Sequence, residues 1–268
     1  MLHINPTSEE LRTTINSIAS QHLDVLVPYD QLNCEIQESE EESTNILFKY
    51  NLGTAEFSSH AMRQLLTRIH LSSSYWKRLD NWNAHQLMAD NFDFCNESTA
   101  NEISLQPRAN DPTFLFRLKL NEQTKTSIEE LFNSPSEEME EEETNNFLTE
   151  VRAVLSSNYS KFDDNQLFPL LIDLLDQNQN ISYTLYEYDD QMTRLHIKFN
   201  DTERIYEENT YHAGMIITNS EVGISSVWIE PSVYKEDLLY TNRDSLKKQN
   251  VQMKIVHRGD INTDRIST

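Results

Sequence analysis

Short polar stretches rich in arginine, asparagine and carboxylates adjoin apolar, β-branched runs at several points along this chain. Arg152 stands inside Val151-Arg152-Ala153-Val154-Leu155, Tyr159 ends the polar turn that follows, and Asp163-Asp164-Asn165 comes next. Asn219-Ser220-Glu221 separates Ile216-Ile217-Thr218 from Val222-Gly223, and His257-Arg258-Gly259 lies near the end. Arginine presents a planar fork of donors to phosphate or carboxylate, and Asn and Ser both donate and accept. The chemistry these types support is binding, so the candidate binding residues are Arg152, Tyr159, Asp164, Asn219, Ser220, Glu221, His257 and Arg258. The Asn219-Ser220-Glu221 stretch reads either as a hairpin turn with capping side chains or as a binding corner. A second set gathers at Arg63, Arg68, Lys77 and Arg78, interleaved with Tyr75, Trp76 and Trp82. Basic residues among aromatics stack bases and hold phosphates, and the same pattern describes amphipathic helices with a core-facing Trp. Arg63, Lys77, Arg78 and Trp76 are therefore the nucleic-acid candidates.

No residue is assigned a catalytic role. The sequence has no glycine-rich phosphate loop, no Gly-x-Ser-x-Gly elbow and no His/Cys cluster with metal-ligand spacing. Neither a metal nor a cofactor is expected, and the balance leans against an enzyme. Asp163, Asp164, Glu187, Asp189, Asp190 and Glu221 could assemble a magnesium site, which keeps a metal-dependent nuclease as a minor alternative.

The charge balance narrows the partners. With 44 acidic against 22 basic residues the net charge is −22, a field that repels nucleic-acid phosphates in bulk. DNA, single- or double-stranded, would have to meet a local basic patch. The same field suits a basic host protein as partner. Cys34 and Cys95 stand far apart in no paired motif, so a reducing cytoplasm is expected. The opening Met-Leu-His-Ile-Asn-Pro lacks the regions of a signal peptide, and no apolar run approaches the ~20 residues that span a membrane. Oligomeric state is left open.

The elements that must position these residues follow from periodicity and punctuation. Leu11, Ile15 and Ile18 at helical spacing follow capping chemistry at Ser8-Glu9-Glu10. Ala61, Leu65, Leu66 and Ile69 form one face of a helix capped by Ser58 or Ser59, and a second helix runs from Tyr75 towards Ala89. Phe114–Leu120 reads as a strand with one wet face. Asp163 or Asp164 caps a helix whose apolar face is Leu167, Leu170, Leu171, Leu174 and Leu175. Ser182–Tyr188 and Met192–Phe199 form a hairpin across Asp189-Asp190-Gln191, and strands at Ala213–Thr218, Ile224–Glu230 and Val233–Tyr240 complete a sheet. Glycine is rationed to 4 residues, where ordinary usage would give roughly 19, so each marks a backbone position that side chains tolerate poorly. The fold class expected is α+β: an antiparallel-rich sheet formed mainly by the C-terminal half, with helices mostly from the N-terminal half packed on it. A single domain over 1–268 is expected, with a flexible acidic insertion at about 121–146 that carries a short helix at Ser127–Phe132.

Three stretches resemble the phage/plasmid-like protein family, an uncharacterised domain of prophages, plasmids and other mobile elements. They are Ser59-His60-Ala61-Met62-Arg63-Gln64-Leu65-Leu66 through Tyr75-Trp76, then Val151–Tyr159 with Asp163-Asp164-Asn165, then Ile217–Gly223 through Asn242 with His257-Arg258-Gly259. The family usually has a cysteine and a glycine where this chain has Tyr240 and Arg243. The resemblance implies a mobile-element setting with antirestriction, DNA repair or recombination as typical neighbours, and no known reaction. Two functions are thus expected in turn: a nucleic-acid-handling accessory protein, or an acidic interaction protein that blocks a host defence or DNA-binding protein. The distant motifs are expected to share one neighbourhood, with Arg152 near Glu221 or Asp164 at one edge of the sheet.

Overall fold

The computed structural model describes residues 1–38, 44–50, 53–104, 113–120, 126, 148–177, 180–236, 238–239 and 253–255. Over these residues the chain is α+β and divides into two compact units, Met1–Ser20 with Ser160–Thr268 and Gln21–Tyr159. The acidic stretch at 121–146, apart from Thr126, lies outside the described residues. So do the expected helix at Ser127–Phe132, the Tyr240–Arg243 stretch, His257 and Arg258. The chain opens in the first unit with β1 (Leu2–Ile4) and α1 (Ser8–Ala19). Thr7 is the N-cap of α1: its hydroxyl accepts from the Glu10 N–H, and the Glu10 carboxylate accepts from the Thr7 N–H at 2.8 Å. This capping box satisfies donors that the first helical turn leaves without partners.

The second unit holds β2 (His22–Pro28), β3 (Asn33–Glu38), β4 (Thr44–Tyr50), β5 (Gly53–Phe57), α2 (Ser59–Arg68), α3 (Ser73–Asn81), α4 (His85–Ser104), β6 (Thr113–Lys119) and β7 (Leu148–Ser156). Its sheet runs β2-β6-β7-β5-β4-β3, antiparallel except for the parallel pair β5–β7. Ser58 and Ser72 cap α2 and α3 through hydroxyls that accept from Ala61 and Tyr75. The helix expected from Tyr75 to Ala89 is two helices instead. Asn83 adopts φ 52° between them, a left-handed conformation that Asn tolerates better than most residues. The wet face expected on Phe114–Leu120 is also absent, because residues on both faces of β6 are buried. Phe114, Leu115, Phe116 and Leu118 are all buried, and so is Arg117, whose Nε donates to Asp24 at 2.9 Å.

Beyond Val151, β7 has no further register with β5, and α2 takes over. Gln64 accepts from the Val154 N–H at 2.9 Å, and Arg68 Nε donates to the Val154 carbonyl at 3.0 Å. Side chains of α2 thus complete the backbone hydrogen bonding of a strand that would otherwise bury open polar groups.

The chain returns to the first unit with α5 (Asp164–Asp176), β8 (Ile181–Tyr188), β9 (Thr193–Phe199), β10 (Arg204–Tyr206), β11 (Asn209–Asn219), β12 (Val227–Lys235), β13 (Leu238–Leu239) and β14 (Met253–Ile255). The sheet follows β1-β8-β9-β11-β12-β13, every pair antiparallel, with β10 on β11 and β14 on β12. Helices α1 and α5 supply one side of its core: Leu11, Ile15, Leu167, Phe168 and Ile172 meet Tyr186, Leu195, Ile197 and Ile217. The buried face of α5 is rotated from the expected one, since Phe168 and Ile172 face inward while Leu170 and Leu174 are 42% and 46% exposed. The hairpin across Asp189 holds as expected, with the Asp189 carboxylate accepting from the N–H groups of Gln191 and Met192 at 2.8 Å each. The two strands expected on either side of Pro231 are one, β12. Pro231 falls between the β14 patch at Val227–Ile229 and the β13 patch at Tyr234–Lys235, where no described neighbour on that side needs its missing N–H.

Candidate functional site

The corner Asn219-Ser220-Glu221 follows β11 and is buried to its last residue, with exposures of 0%, 1% and 6%. Asn219 Nδ2 donates to the Phe162 carbonyl at 3.1 Å and to Asp164 Oδ1 at 2.8 Å. Glu221 Oε1 accepts the Asp164 N–H at 2.9 Å, placing a carboxylate against the first turn of α5. Anions are favoured there by the helix dipole and the open N–H groups. Ser220 donates to the Gln191 carbonyl at 2.7 Å and accepts from the Ile224 N–H at 3.2 Å. Gly223, at φ 75°, then closes the turn. The corner joins the entrance of α5 to the β11–β12 turn and the β8–β9 turn.

Asp164, at 4% exposure, also accepts a hydrogen bond from the Thr193 hydroxyl. Burial first, and then the neighbouring Glu221 carboxylate, push the Asp164 carboxyl up to about 7, against the hydrogen bonds from Thr193 and Asn219. The folded chain therefore holds this proton through a pH range in which the unfolded chain has lost it. That contribution to stability is full below the ordinary carboxylate value of about 4 and is lost as pH rises through about 7. Melting temperatures of the wild type and Asp164→Asn, compared between about pH 5 and about pH 8, check this. The wild type is expected to lose ground to the variant as pH rises; a gap that ignores pH contradicts it. Among the described residues no group of three or more His, Cys, Asp or Glu is placed to hold a metal ion. The carboxylates from Asp163 to Glu221 do not assemble the magnesium site weighed above.

The second unit carries a cleft of about 600 Å³ built on α2. His60, Arg63, Gln64, Thr67 and Arg68 recur at the three- and four-residue spacing that puts them on one side of the helix, and all line it. Tyr29 and the α4 residues Thr99, Glu102 and Ile103 form the facing wall. His70 lines the cleft from just beyond α2, in the left-handed region at φ 56°. There the His70 N–H donates to the Thr67 carbonyl and the Leu71 N–H to the Leu66 carbonyl, the hydrogen-bond pattern of a Schellman cap. Glycine is the usual occupant of that position. No described carboxylate lies within ion-pair distance of Arg63 or Arg68. Burial draws Arg68 below its ordinary value, opposed by Tyr29, so an arriving anion offsets a desolvation cost.

The sequence candidates fall in both units. Asp164, Asn219, Ser220 and Glu221 meet in the first unit. Arg152 belongs to β7, an interior strand of the second unit's sheet, and is buried there. Tyr159 closes the second unit with its N–H on the Ser156 carbonyl. Trp76 packs among Phe48 and Phe92, with ring centroids 6.2 and 6.3 Å away, leaving Lys77 and Arg78 on the exposed side of α3. Arg78 lies over the Tyr75 ring at 6.0 Å. Of the nucleic-acid candidates, Arg63 is the one that reaches the cleft. The helical spacing of His60, Arg63, Thr67 and His70 was a signal for the α2 wall, whereas nothing local ties Tyr29, Thr99 and Glu102 to it.

No helix among the described residues is long and apolar enough to cross a membrane. The chain matches no protein-family model, no curated protein and no solved structure.

Proposed function

We propose that this chain is a cytoplasmic accessory protein of a phage- or plasmid-type mobile element that handles nucleic acid during replication, recombination or repair. One observation carries the reading. In a chain of net charge −22, two arginines and two histidines share one cleft with a single carboxylate, Glu102. Such a patch attracts a phosphate backbone that the rest of the chain repels, which favours strand contact at one place over general adhesion. The motif resemblance at Ser59–Trp76 supports the same reading, since α2 supplies the cleft's basic wall.

Fluorescence anisotropy with single- and double-stranded DNA at about 50 mM and about 200 mM salt tests it. Affinity is expected to fall steeply with salt, and Arg63→Gln to weaken every sequence alike while lowering the log–log salt slope by about 1. Absence of binding to either form at low salt would sink the proposal. Recovery of a stoichiometric basic protein from host lysate in its place would favour the acidic interaction protein that the −22 charge also suits.

A further inference from the structure

The cleft has two chemically different walls. On α2, Arg68 spends its Nε on the Val154 carbonyl at 3.0 Å, which fixes the guanidinium plane and leaves its terminal nitrogens to the cleft. Arg63 stands five residues earlier on α2, exposed, and His60 and His70 line the same wall. The opposite wall accepts. The Thr99 hydroxyl donates its hydrogen to the Cys95 carbonyl at 2.8 Å, so its oxygen faces the cleft as an acceptor, and Glu102 adds a carboxylate one turn further along α4. Tyr29 and Ile103 give apolar surface to this wall. A ligand that satisfies both walls carries a phosphate at one end and hydroxyl or amino donors at the other. At about 600 Å³ the cleft falls within the ~300–1,000 Å³ range of small-molecule sites. A duplex would lie across its mouth and leave the acceptor wall unused.

Resting on the nucleic-acid reading above, the geometry points to a nucleoside phosphate as the occupant of this cleft, either a free mononucleotide or the terminal nucleotide of a strand. Its phosphate meets Arg63 and Arg68, and its sugar hydroxyls or base amino group meet Thr99 and Glu102. Carboxylates pair with ribose hydroxyls in the same way at dinucleotide sites. The left-handed His70 supports the assignment. At this helix-ending position glycine would be cheaper, and His70 brings to the cleft a ring that glycine would not supply.

Calorimetric titration of the full chain separates the two sources. The probes are the four 5′-mononucleotides, a 5′-phosphorylated single strand, the same strand with a 5′-hydroxyl, and a covalently closed single-stranded circle. The phosphorylated strand, the mononucleotides, or both are expected to bind at least about tenfold more tightly than the circle. Arg63→Gln and Glu102→Gln, both at exposed positions, are each expected to erase most of that preference. His70→Gly is expected to weaken nucleotide binding while melting no lower than the wild type, a combination that a purely structural role does not produce. Lys49→Gln, which breaks a 2.6 Å pair with Glu35 in the same unit, serves as the neutral control. Equal binding of circle and linear strands, with no mononucleotide bound, overturns the cleft assignment and leaves strand handling intact. Mononucleotides bound through Arg63, with no strand bound at low salt, sink strand handling and uphold the nucleoside phosphate as the cleft's occupant.

Discussion

Gly214→Ala is expected to be the most damaging single-methyl change in the described chain. Gly214 sits inside β11, and a Cβ built there runs into the Ile197 carbonyl of β9 and the Tyr234 ring of β12. The Tyr234 ring lies across the strand where a side chain would stand, and Tyr234 is itself 1% exposed. Neither neighbour can yield cheaply: one atom is backbone in the middle of the sheet, and the other is a buried ring. Overpacking a core costs about 1–3 kcal/mol and more where backbone must move, so a loss of about 3 kcal/mol or greater is expected in a urea melt. Against a total stability of ~5–15 kcal/mol that threatens folding outright. Gly223→Asn, at φ 75° in a turn, is expected to be mild by comparison. A Gly214→Ala protein within about 0.5 kcal/mol of wild type would show the packing around β11 to be looser than described.

Asn219→Ala comes next, with an expected cost of about 2–4 kcal/mol. The change removes the donor to two buried acceptors at once, the Phe162 carbonyl and Asp164 Oδ1. Asn219 is fully buried, so the loss cannot be made good by bulk water. Asn219→Asp is expected to be worse, because it sets a third carboxylate beside Asp164 and Glu221. Urea melts give the stability, and DNA affinity corrected for the folded fraction gives the rest: it is expected to stay at the wild-type value. A variant that melts normally yet loses binding would turn this corner from architecture into a ligand site.

Local chemistry announced itself well in this sequence. Ser58, Asp163 and the Asp189 turn stand where their side chains predict, because caps and tight turns are decided by neighbours a few residues apart. Rationed glycine was legible too. Gly53 and Gly223 adopt φ 118° and 75°, and Gly214 is needed for close approach. What failed depended on distant partners. Phe114–Leu120 read as half-wet, but tertiary packing buries both of its faces and Asp24 neutralises the buried Arg117. Leu170 and Leu174 looked as apolar as Phe168, and only the placement of the sheet decides which side of α5 is buried. The α+β class follows from strand and helix patterns alone. That the strands form two sheets, one of them mixed through β5 and β7, depends on pairings no local pattern encodes. The cleft was half legible for the same reason: α2 carries its wall in one helical face, while α4 and Tyr29 arrive by tertiary packing.

The central claim is that nucleic acid meets this acidic chain at the α2–α4 cleft. Photocrosslinking of a single strand carrying a photoreactive base, followed by mass-spectrometric mapping of the adducts, addresses it most directly. The account predicts adducts on peptides containing Tyr29, His60–His70 and Thr99–Ile103, lost when Arg63 and Arg68 are both changed to Gln. Adducts confined to α3 around Trp82 and Arg78, or to the Asn219–Glu221 corner, would contradict it.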